Sequence, residues 1–294
     1  MVRQIQWSSL SQVLANQRPV QTSIKTRVTL NSGVQMPWLG LGVYQASAGL
    51  GTQKAVKAAF EYGYRLIDTA RIYGNEQDVG IAVRQSGLPR DDVFVTTKLW
   101  NSDHGYDSTL LAFQESLRRL GLTYVDLYLI HWPQPGMRNE TWKAMIRLLK
   151  EGKVRTIGVS NYTIGHLKEL LGQSDIVPDV NQVEFHPFLY QSDLLEFCQQ
   201  NKIQLEAYSP LTRGQRLDDP ALKQIAAKHS RTPAQVLIRW CLQHAVVAIP
   251  KSSKKERILE NSNVFDFELK PDEMRQLDSL SEDMRTNWDP TTVP

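Results

Sequence analysis

Short apolar segments alternate with amphipathic segments along most of the chain. The apolar segments have the length of strands and occupy positions 38–43, 65–68, 93–98, 125–131, 154–159, 180–184, 203–208 and 246–249. The amphipathic segments have helical spacing and occupy positions 52–62, 76–86, 108–120, 140–150, 164–171, 192–200, 220–229 and 255–261, with a further helix at 233–243. Several of the predicted helices end at glycine, which is typical of helix C-termini.

Eight strand–helix units with short connections predict parallel strands and a closed (β/α)8 TIM barrel. An open doubly wound sheet is the alternative. That fold often carries a G-x-G-x-x-G motif after its first strand, but Gly40-Leu-Gly42 lacks the third glycine and an immediately following helix. The closed barrel is therefore the preferred prediction.

The first part of the chain does not follow the alternation. Residues 1–24 are rich in Ser and Gln, and no Asp or Glu occurs before Glu61. Such a composition resembles an organellar transit peptide, but a polar N-terminal extension lying on the domain surface is the preferred interpretation. Segments 26–30 and 34–36 flank an Asn-Ser-Gly turn and predict a β-hairpin at the start of a single barrel domain, residues 25–294.

Composition bounds the class of protein. The chain has 294 residues, is 41% hydrophobic and 22% charged, and has a formal net charge of +3. These values are typical of a globular domain and give no argument for a nucleic-acid partner. No apolar run is long enough to span a bilayer. Cys198 and Cys241 fit no metal spacing and predict free thiols in a reducing compartment. We expect a cytoplasmic protein with no metal site and no membrane partner.

Ionisable side chains follow the predicted strands at the face where barrels carry their active sites. The second strand ends at Asp68 with Tyr73 in the next loop, the third ends at Lys98, and the fourth ends at His131. A lysine cation favours a nearby phenolate and would lower the pKa of Tyr73. We expect this set to polarise a carbonyl group and to deliver a proton to its oxygen. A reduction would also need a hydride carrier, because no side chain supplies the electrons.

Long motifs at these positions resemble those of the aldo-keto reductases. They are RLIDTARIYGNE, VTTKLW, YVDLYLIHWP, IGVSNY, NQVEFHP, AYSPL and IPKSSKKERILEN, and the likeness extends from about residue 26 to residue 289. The resemblance implies a (β/α)8 barrel that reduces aldehydes or ketones with NADPH and without a metal. It places a catalytic tetrad on Asp68, Tyr73, Lys98 and His131. Tyr73 would be the general acid, Lys98 and Asp68 would tune it, and His131 would orient the carbonyl group.

The resemblance also implies an NADPH site. Its residues would be Val43, Ser160, Asn161, Gln182, Tyr208, Ser209, Pro210, Leu211, Ile249, Pro250, Lys251, Ser252, Ser253, Lys254, Arg257, Glu260 and Asn261. Within this set, Ser160, Asn161 and Gln182 would hold the nicotinamide carboxamide, and Tyr208 would stack on the nicotinamide ring. Lys251, Ser252 and Arg257 would contact the 2′-phosphate. Because charge-assisted hydrogen bonds to phosphate are strong, NADPH is predicted over NADH.

The predicted substrate is a small carbonyl compound, bound by Tyr44, Trp100, His131 and Trp132. The short loop 133–141 and the short tail favour an open pocket. The resemblance implies a monomer, which is common in this kind of family member. Trp288 in the tail either closes one side of the pocket or lies on the surface.

Two other functions stay open at this point. One is a non-catalytic NADPH-binding or structural barrel protein. The other is a Schiff-base aldolase with Lys98 as nucleophile, which leaves the segment IPKSSKKER without a role. Outside the tetrad, His104, His166, His229 and His244 are expected on the surface, and His186 is expected to be structural.

Overall fold

Eight parallel strands form the centre of the protein, preceded by a two-stranded hairpin. The structure is a computed structural model that describes residues 22–294, so that residues 1–21 of the predicted extension lie outside the described residues. The strands are β1 (Arg27–Thr29), β2 (Gln35–Pro37), β3 (Leu41–Gly42), β4 (Leu66–Asp68), β5 (Phe94–Leu99), β6 (Val125–Ile130), β7 (Val154–Ser160), β8 (Val180–Glu184), β9 (Gln204–Tyr208) and β10 (Val247–Ala248).

The parallel sheet closes on itself. Its strands follow one another from β3 to β10 in chain order, each parallel to its neighbours. The two outer strands also meet, because Gly40 N donates to Ala248 O at 2.9 Å and Ala248 N donates to Trp38 O at 3.0 Å. Glycine is required at Gly42, where a Cβ would lie 2.9 Å from the carbonyl oxygen of Ile249. The predicted (β/α)8 barrel with an N-terminal hairpin is confirmed.

Helices follow the strands and cover the outside of the barrel. They are α1 (Leu50–Glu61), α2 (Glu76–Arg84), α3 (Tyr106–Leu120), α4 (Arg138–Lys150), α5 (Ile164–Gln173), α6 (Ser192–Gln200), α7 (Pro220–Lys228), α8 (Pro233–Gln243), α9 (Lys255–Ser262) and α10 (Pro271–Asp278). The sequence pattern predicts all of these except α10. A signal for α10 is present in Pro271 followed by two acidic residues, a combination typical of a first helical turn.

The hairpin β1–β2 lies at the N-terminal end of the barrel, opposite the strand ends considered below. In its turn, Asn31 Nδ2 donates to the carbonyl oxygens of Pro178 and Lys202, both at 3.2 Å. Ser32 N donates to Asp179 Oδ1 at 2.9 Å. These bonds tie the hairpin to the residues just before β8 and β9.

Three of the histidines expected on the surface are buried, so the expectation was wrong for His104, His166 and His244. Each has a polar neighbour that offsets the loss of water. The His104 ring lies 3.2 Å from Thr141 Oγ1, and His244 Nε2 lies 2.9 Å from Asp278 Oδ1. Among residues 22–294, none of the helices combines the length and apolar composition needed to cross a bilayer.

Candidate active site

The strand ends of β4, β5 and β6 bring the four predicted catalytic side chains together. Lys98 Nζ donates to Asp68 Oδ1 at 2.6 Å and to Asp68 Oδ2 at 2.8 Å. It also contacts the Thr69 carbonyl oxygen at 3.0 Å and the Tyr73 hydroxyl at 3.2 Å. The His131 ring stands edge-on to Tyr73, with ring centroids 5.7 Å apart. Among these four side chains, Tyr73 thus places its hydroxyl beside His131, where a substrate oxygen can reach it.

A short 3-10 turn, Arg71–Tyr73, carries the tyrosine out of the strand end. Gly74 follows it with a left-handed backbone, φ 70°, which turns the chain toward α2. Asn75 then fixes the loop, because its Oδ1 accepts from Thr69 Oγ1 at 2.7 Å and its Nδ2 donates to the Val43 carbonyl at 2.9 Å. The Gly-Asn pair of the first motif therefore serves to position Tyr73.

Burial and the Asp68 carboxylate raise the pKa of Tyr73 well above its ordinary value. The predicted lowering by Lys98 is wrong for this structure, because the ammonium makes its two shortest contacts with Asp68. Burial, and then the Lys98 cation, hold the pKa of His131 well below its ordinary range. At neutral pH the site therefore presents a protonated phenol beside a neutral imidazole.

A buried carboxyl that sequence reasoning missed lies behind the tetrad. Gln182 Nε2 donates to Asp68 Oδ2 and to Glu206 Oε2, both at 2.8 Å. Glu206 is 0% exposed, and burial, followed by the Asp68 carboxylate, raises its pKa to about 8. The available signal was a glutamate in the middle of the apolar segment 203–208.

One cavity of about 1260 Å³ extends from the tetrad along the strand ends to α9. Pockets for drug-sized ligands span roughly 300–1,000 Å³, so this one has room for more than a small substrate. The predicted site residues in its wall are Tyr44, Asp68, Tyr73, Trp100, His131, Trp132, Asn161, Gln182, Tyr208, Ser209, Pro210, Leu211, Ile249, Lys251, Ser252, Ser253, Lys254, Arg257, Glu260 and Asn261. The cavity wall does not include Val43, Lys98, Ser160 and Pro250, which are all buried.

The far end of the cavity is cationic. Lys251, Lys254 and Arg257 are exposed and form no salt bridge with the part of the chain that the structure describes. Lys255, which points elsewhere, pairs with Glu61 at 2.7 Å. Three uncompensated cations beside an open cavity suit a phosphate group.

Between the two ends, an amide-rich wall carries groups that suit a carboxamide. Asn161 Nδ2 donates to the His131 carbonyl at 3.0 Å, and Asn161 Oδ1 accepts from the Tyr208 hydroxyl at 2.8 Å. Ser160 Oγ donates to the backbone carbonyl oxygen of Gln182 at 2.8 Å. Both side-chain amide hydrogens of Gln182 are donated to carboxyl groups. The side-chain oxygen Oε1 therefore remains to face the cavity. The donor set, the aromatic Tyr208 face and the cationic end together fit a nicotinamide dinucleotide.

Aromatic side chains and the C-terminal tail enclose the tetrad end. The Tyr44 ring lies 4.9 Å from that of Tyr73, and the Trp132 ring lies 5.7 Å from that of Trp288, measured between centroids. Trp288 therefore lines the cavity even though it is 67% exposed.

Glu184 anchors that tail, a role that the sequence did not reveal. Its Oε1 accepts from Thr286 N at 2.7 Å and from Thr286 Oγ1 at 2.5 Å. Its Oε2 accepts from Asn287 N at 3.2 Å. Other wall residues missed from the sequence are Gly42, Gln45, Ile72, Arg213, Gly214, Leu217, Thr232, Pro233, Ala234, Arg285, Thr286 and Asn287.

Comparison with known proteins agrees with this geometry. The model of the aldo/keto reductase family matches residues 45–282. The chain is 53% identical over 269 residues to a glyoxal reductase of Bacillus subtilis, covering 92% of this chain and 98% of that protein. It is 54% identical over 266 residues to a 9,11-endoperoxide prostaglandin H2 reductase of Trypanosoma cruzi, covering 90% and 94% respectively.

A solved structure extends the likeness to the cofactor. The aldo-keto reductase of Bombyx mori in complex with NADP has a TM-score of 0.83 and 37% identity, covering 88% of this chain and 94% of that one. This neighbour supports nicotinamide cofactor binding. The protein is an oxidoreductase acting on carbonyl groups, and the chain belongs to the aldo/keto reductase family.

Proposed function

We propose that the protein is an NADPH-dependent reductase of aldehydes and ketones in which Tyr73 delivers the proton. The observation that carries the proposal is one cavity with the Tyr73 hydroxyl at one end and, at the other, three cations that form no salt bridge with residues 22–294. Those ends match the two halves of the task, a proton donor for the carbonyl oxygen and a phosphate anchor for the cofactor.

The side chains divide the work at the carbonyl oxygen. Tyr73 stays protonated because burial and Asp68 raise its pKa, so the acid carries its proton across the neutral range. His131, kept neutral by burial, has one N–H to donate to the same oxygen. Lys98, held by Asp68, places its positive charge 3.2 Å from the phenol oxygen and steadies negative charge that develops there. NADPH, when bound, would supply the hydride that the carbonyl carbon accepts.

The cationic end supports NADPH over NADH. Lys251, Lys254 and Arg257 lie where the cavity ends, and an NADH molecule would leave them without an anionic partner. Each charge-assisted hydrogen bond to the 2′-phosphate contributes roughly 1.5–3 kcal/mol. The preference is measured by comparing the dissociation constants of the two cofactors.

The substrate proposal starts from the relatives and the wall. The 53% identical Bacillus relative is named a glyoxal reductase, so glyoxal and methylglyoxal are the first substrates to try. Tyr44, Trp100, Trp132 and Trp288 form an aromatic wall that also suits a nitrobenzaldehyde. We further propose a cytoplasmic monomer with one barrel domain.

The decisive experiment compares wild type with Tyr73→Phe. NADPH oxidation in the presence of these carbonyl compounds should be readily measured for the wild type and lost for the variant. NADPH binding, followed by quenching of tryptophan fluorescence, should stay within about twofold, because the substitution removes only one hydroxyl. Full turnover by Tyr73→Phe would contradict the role of Tyr73 as the acid.

The same assays separate the alternatives. Tight NADPH binding without turnover across the panel would favour a non-catalytic protein. A Schiff-base role for Lys98 is disfavoured, because its side chain is 0% exposed and its Nζ is bonded to Asp68, Thr69 and Tyr73. Borohydride trapping of a carbonyl compound on Lys98 would reverse that conclusion.

A further inference from the structure

Glu206 lies inside the barrel, where the proposed reaction gives it no task. It stands at the middle of β9, paired in register with Gln182 of β8 and Val247 of β10. Its side chain is 0% exposed, and its Oε2 accepts from Gln182 Nε2 at 2.8 Å. Its Oε1 has no hydrogen-bond partner in the described part of the chain. A buried glutamate with a single hydrogen bond needs a reason to be there.

The charges around Glu206 do not balance if it is ionised. The groups that face it are the Asp68 carboxylate of β4, the Lys98 ammonium of β5, the Gln182 amide of β8 and the Tyr73 hydroxyl. The residues of β10, Val247 and Ala248, bring no charge. Lys98 is the cation among these groups, and it is already paired with Asp68 at 2.6 Å. An ionised Glu206 would therefore be a second buried anion without a counter-charge, which is costly.

A neutral Glu206 instead completes the amide contacts of Gln182. The two amide hydrogens of Gln182 go to Asp68 and to Glu206, which fixes the orientation of the amide. That orientation gives Asp68 a further donor besides Lys98 and turns the carbonyl oxygen of Gln182 to the cavity. A series of hydrogen bonds thus connects Glu206 through Gln182, Asp68 and Lys98 to the Tyr73 hydroxyl.

We propose that Glu206 is a positioning residue for the reaction: its neutral carboxyl holds the Gln182 amide against Asp68, and its ionisation places a second negative charge behind Tyr73. The part concerning turnover rests on the proposed function. The charges and dipoles that face Tyr73 are Asp68, Lys98, Glu206 and the neighbouring Tyr44 and His131. Because the added anion disfavours a phenolate, it makes Tyr73 a weaker acid.

Three variants separate the two roles. Glu206→Gln keeps an oxygen that accepts from Gln182 but cannot ionise. Glu206→Leu removes the acceptor as well. Asp179→Asn is the matched control, because Asp179 is also a buried carboxyl, but lies at the opposite end of the barrel, bonded to Ser32 N and to Thr156 Oγ1.

The pH profile of kcat for carbonyl reduction is the first measurement. The wild type should show a decrease as pH rises through about 8, where Glu206 ionises. Relative to its own kcat at pH 6.5, Glu206→Gln should lose that decrease, whereas Asp179→Asn should keep both the wild-type kcat and the decrease. Glu206→Leu should lower kcat by roughly two- to tenfold at every pH, the range expected for losing one buried hydrogen bond. An inflection that persists unchanged in Glu206→Gln would overturn the proposal.

The second measurement needs no turnover. Infrared difference spectra of wild type against Glu206→Gln should contain the C=O band of a protonated carboxyl at pH 7, and the band should disappear as pH rises past about 8. Absence of the band at pH 7 would mean that Glu206 is ionised, and the proposal would be wrong. If the band titrates but no carbonyl compound is reduced, the proposed function fails while the charge state of Glu206 stands. If carbonyl reduction occurs but the band is absent, the proposed function stands and the proposal for Glu206 fails.

Discussion

Replacing Lys98 by methionine tests the charge arrangement at the centre of the barrel. The substitution keeps the length and most of the apolar volume of the side chain. It removes the ammonium that donates to both Asp68 oxygens, at 2.6 and 2.8 Å. In the variant, Asp68 and Glu206 would be two buried carboxyl groups. Asp68 would keep its hydrogen bond from the Gln182 amide and lose the lysine cation.

The magnitude follows from the burial of the pair. The Lys98 and Asp68 side chains are 0% and 3% exposed, so the pair has little contact with water. Breaking a buried ion pair by removing one member costs roughly 3–5 kcal/mol. At about 2 °C per kcal/mol for a chain of this size, Tm should fall by about 6–10 °C. The loss should be larger at pH 8 than at pH 5, because Glu206, whose pKa burial raises to about 8, is neutral at pH 5 and adds a second buried anion beside Asp68 as it ionises.

Urea and thermal unfolding at the two pH values measure these quantities. Lys143→Met is the control, because the Lys143 side chain is 64% exposed and its pairing with Glu140 lies in water, so its Tm should be unchanged. The double variant Asp68→Asn/Lys98→Met should recover part of the stability, since it removes both charges. The reasoning is refuted if Lys98→Met costs less than about 1 kcal/mol, or if the double variant is no more stable than the single one.

Three further outcomes follow from the structure. Arg257→Ala should weaken NADPH binding by roughly 1.5–3 kcal/mol and leave NADH binding unchanged in fluorescence titrations; equal losses for both would place Arg257 away from the 2′-phosphate. Gly80→Ala should strongly lower the free energy of unfolding in urea, since its Cβ would lie 1.8 Å from the backbone oxygen of Leu120. Gly172→Ala is the control, because its added Cβ meets nothing within 4 Å, and it should stabilise its helix by about 0.5–1 kcal/mol. Thr286→Val removes one hydroxyl bond to the buried tail anchor and should make the tail easier to cleave in limited proteolysis, with little change in NADPH affinity; an unaltered cleavage rate would show that the backbone bond alone holds the tail.

The polar pattern at the strand ends is visible in the sequence. Asp68, Tyr73, Lys98 and His131 each follow or end an apolar segment, and in a parallel barrel all such ends meet at one face. The basic segment IPKSSKKER can likewise be recognised in the sequence, because it follows the last apolar segment. The convergence of these residues was therefore predictable from their order along the chain. The direction of the Tyr73 pKa was not, since it depends on how Lys98 divides its contacts.

Residues far apart in the chain contribute to the site in ways that the pattern does not show. In the sequence, Glu206 is simply one position of the apolar segment 203–208. Glu184, at the end of the segment 180–184, suggests only a structural role at its own strand end. Only folding shows that Glu206 shares an amide with Asp68, 138 positions earlier in the chain, and that Glu184 accepts from Thr286, 102 positions later. Such contacts depend on barrel register and on the course of the tail.

The architecture and the chemical class of this protein follow from patterns that are present in the sequence. Alternating strand and helix periods are local properties, set by side-chain burial over a few residues, and eight repeats leave few ways to bury them other than a closed barrel. The tertiary structure decided which charges are compensated. That outcome depends on distances of about 3 Å between side chains from different strands, and it determines whether Tyr73 holds its proton and whether Glu206 can carry a charge.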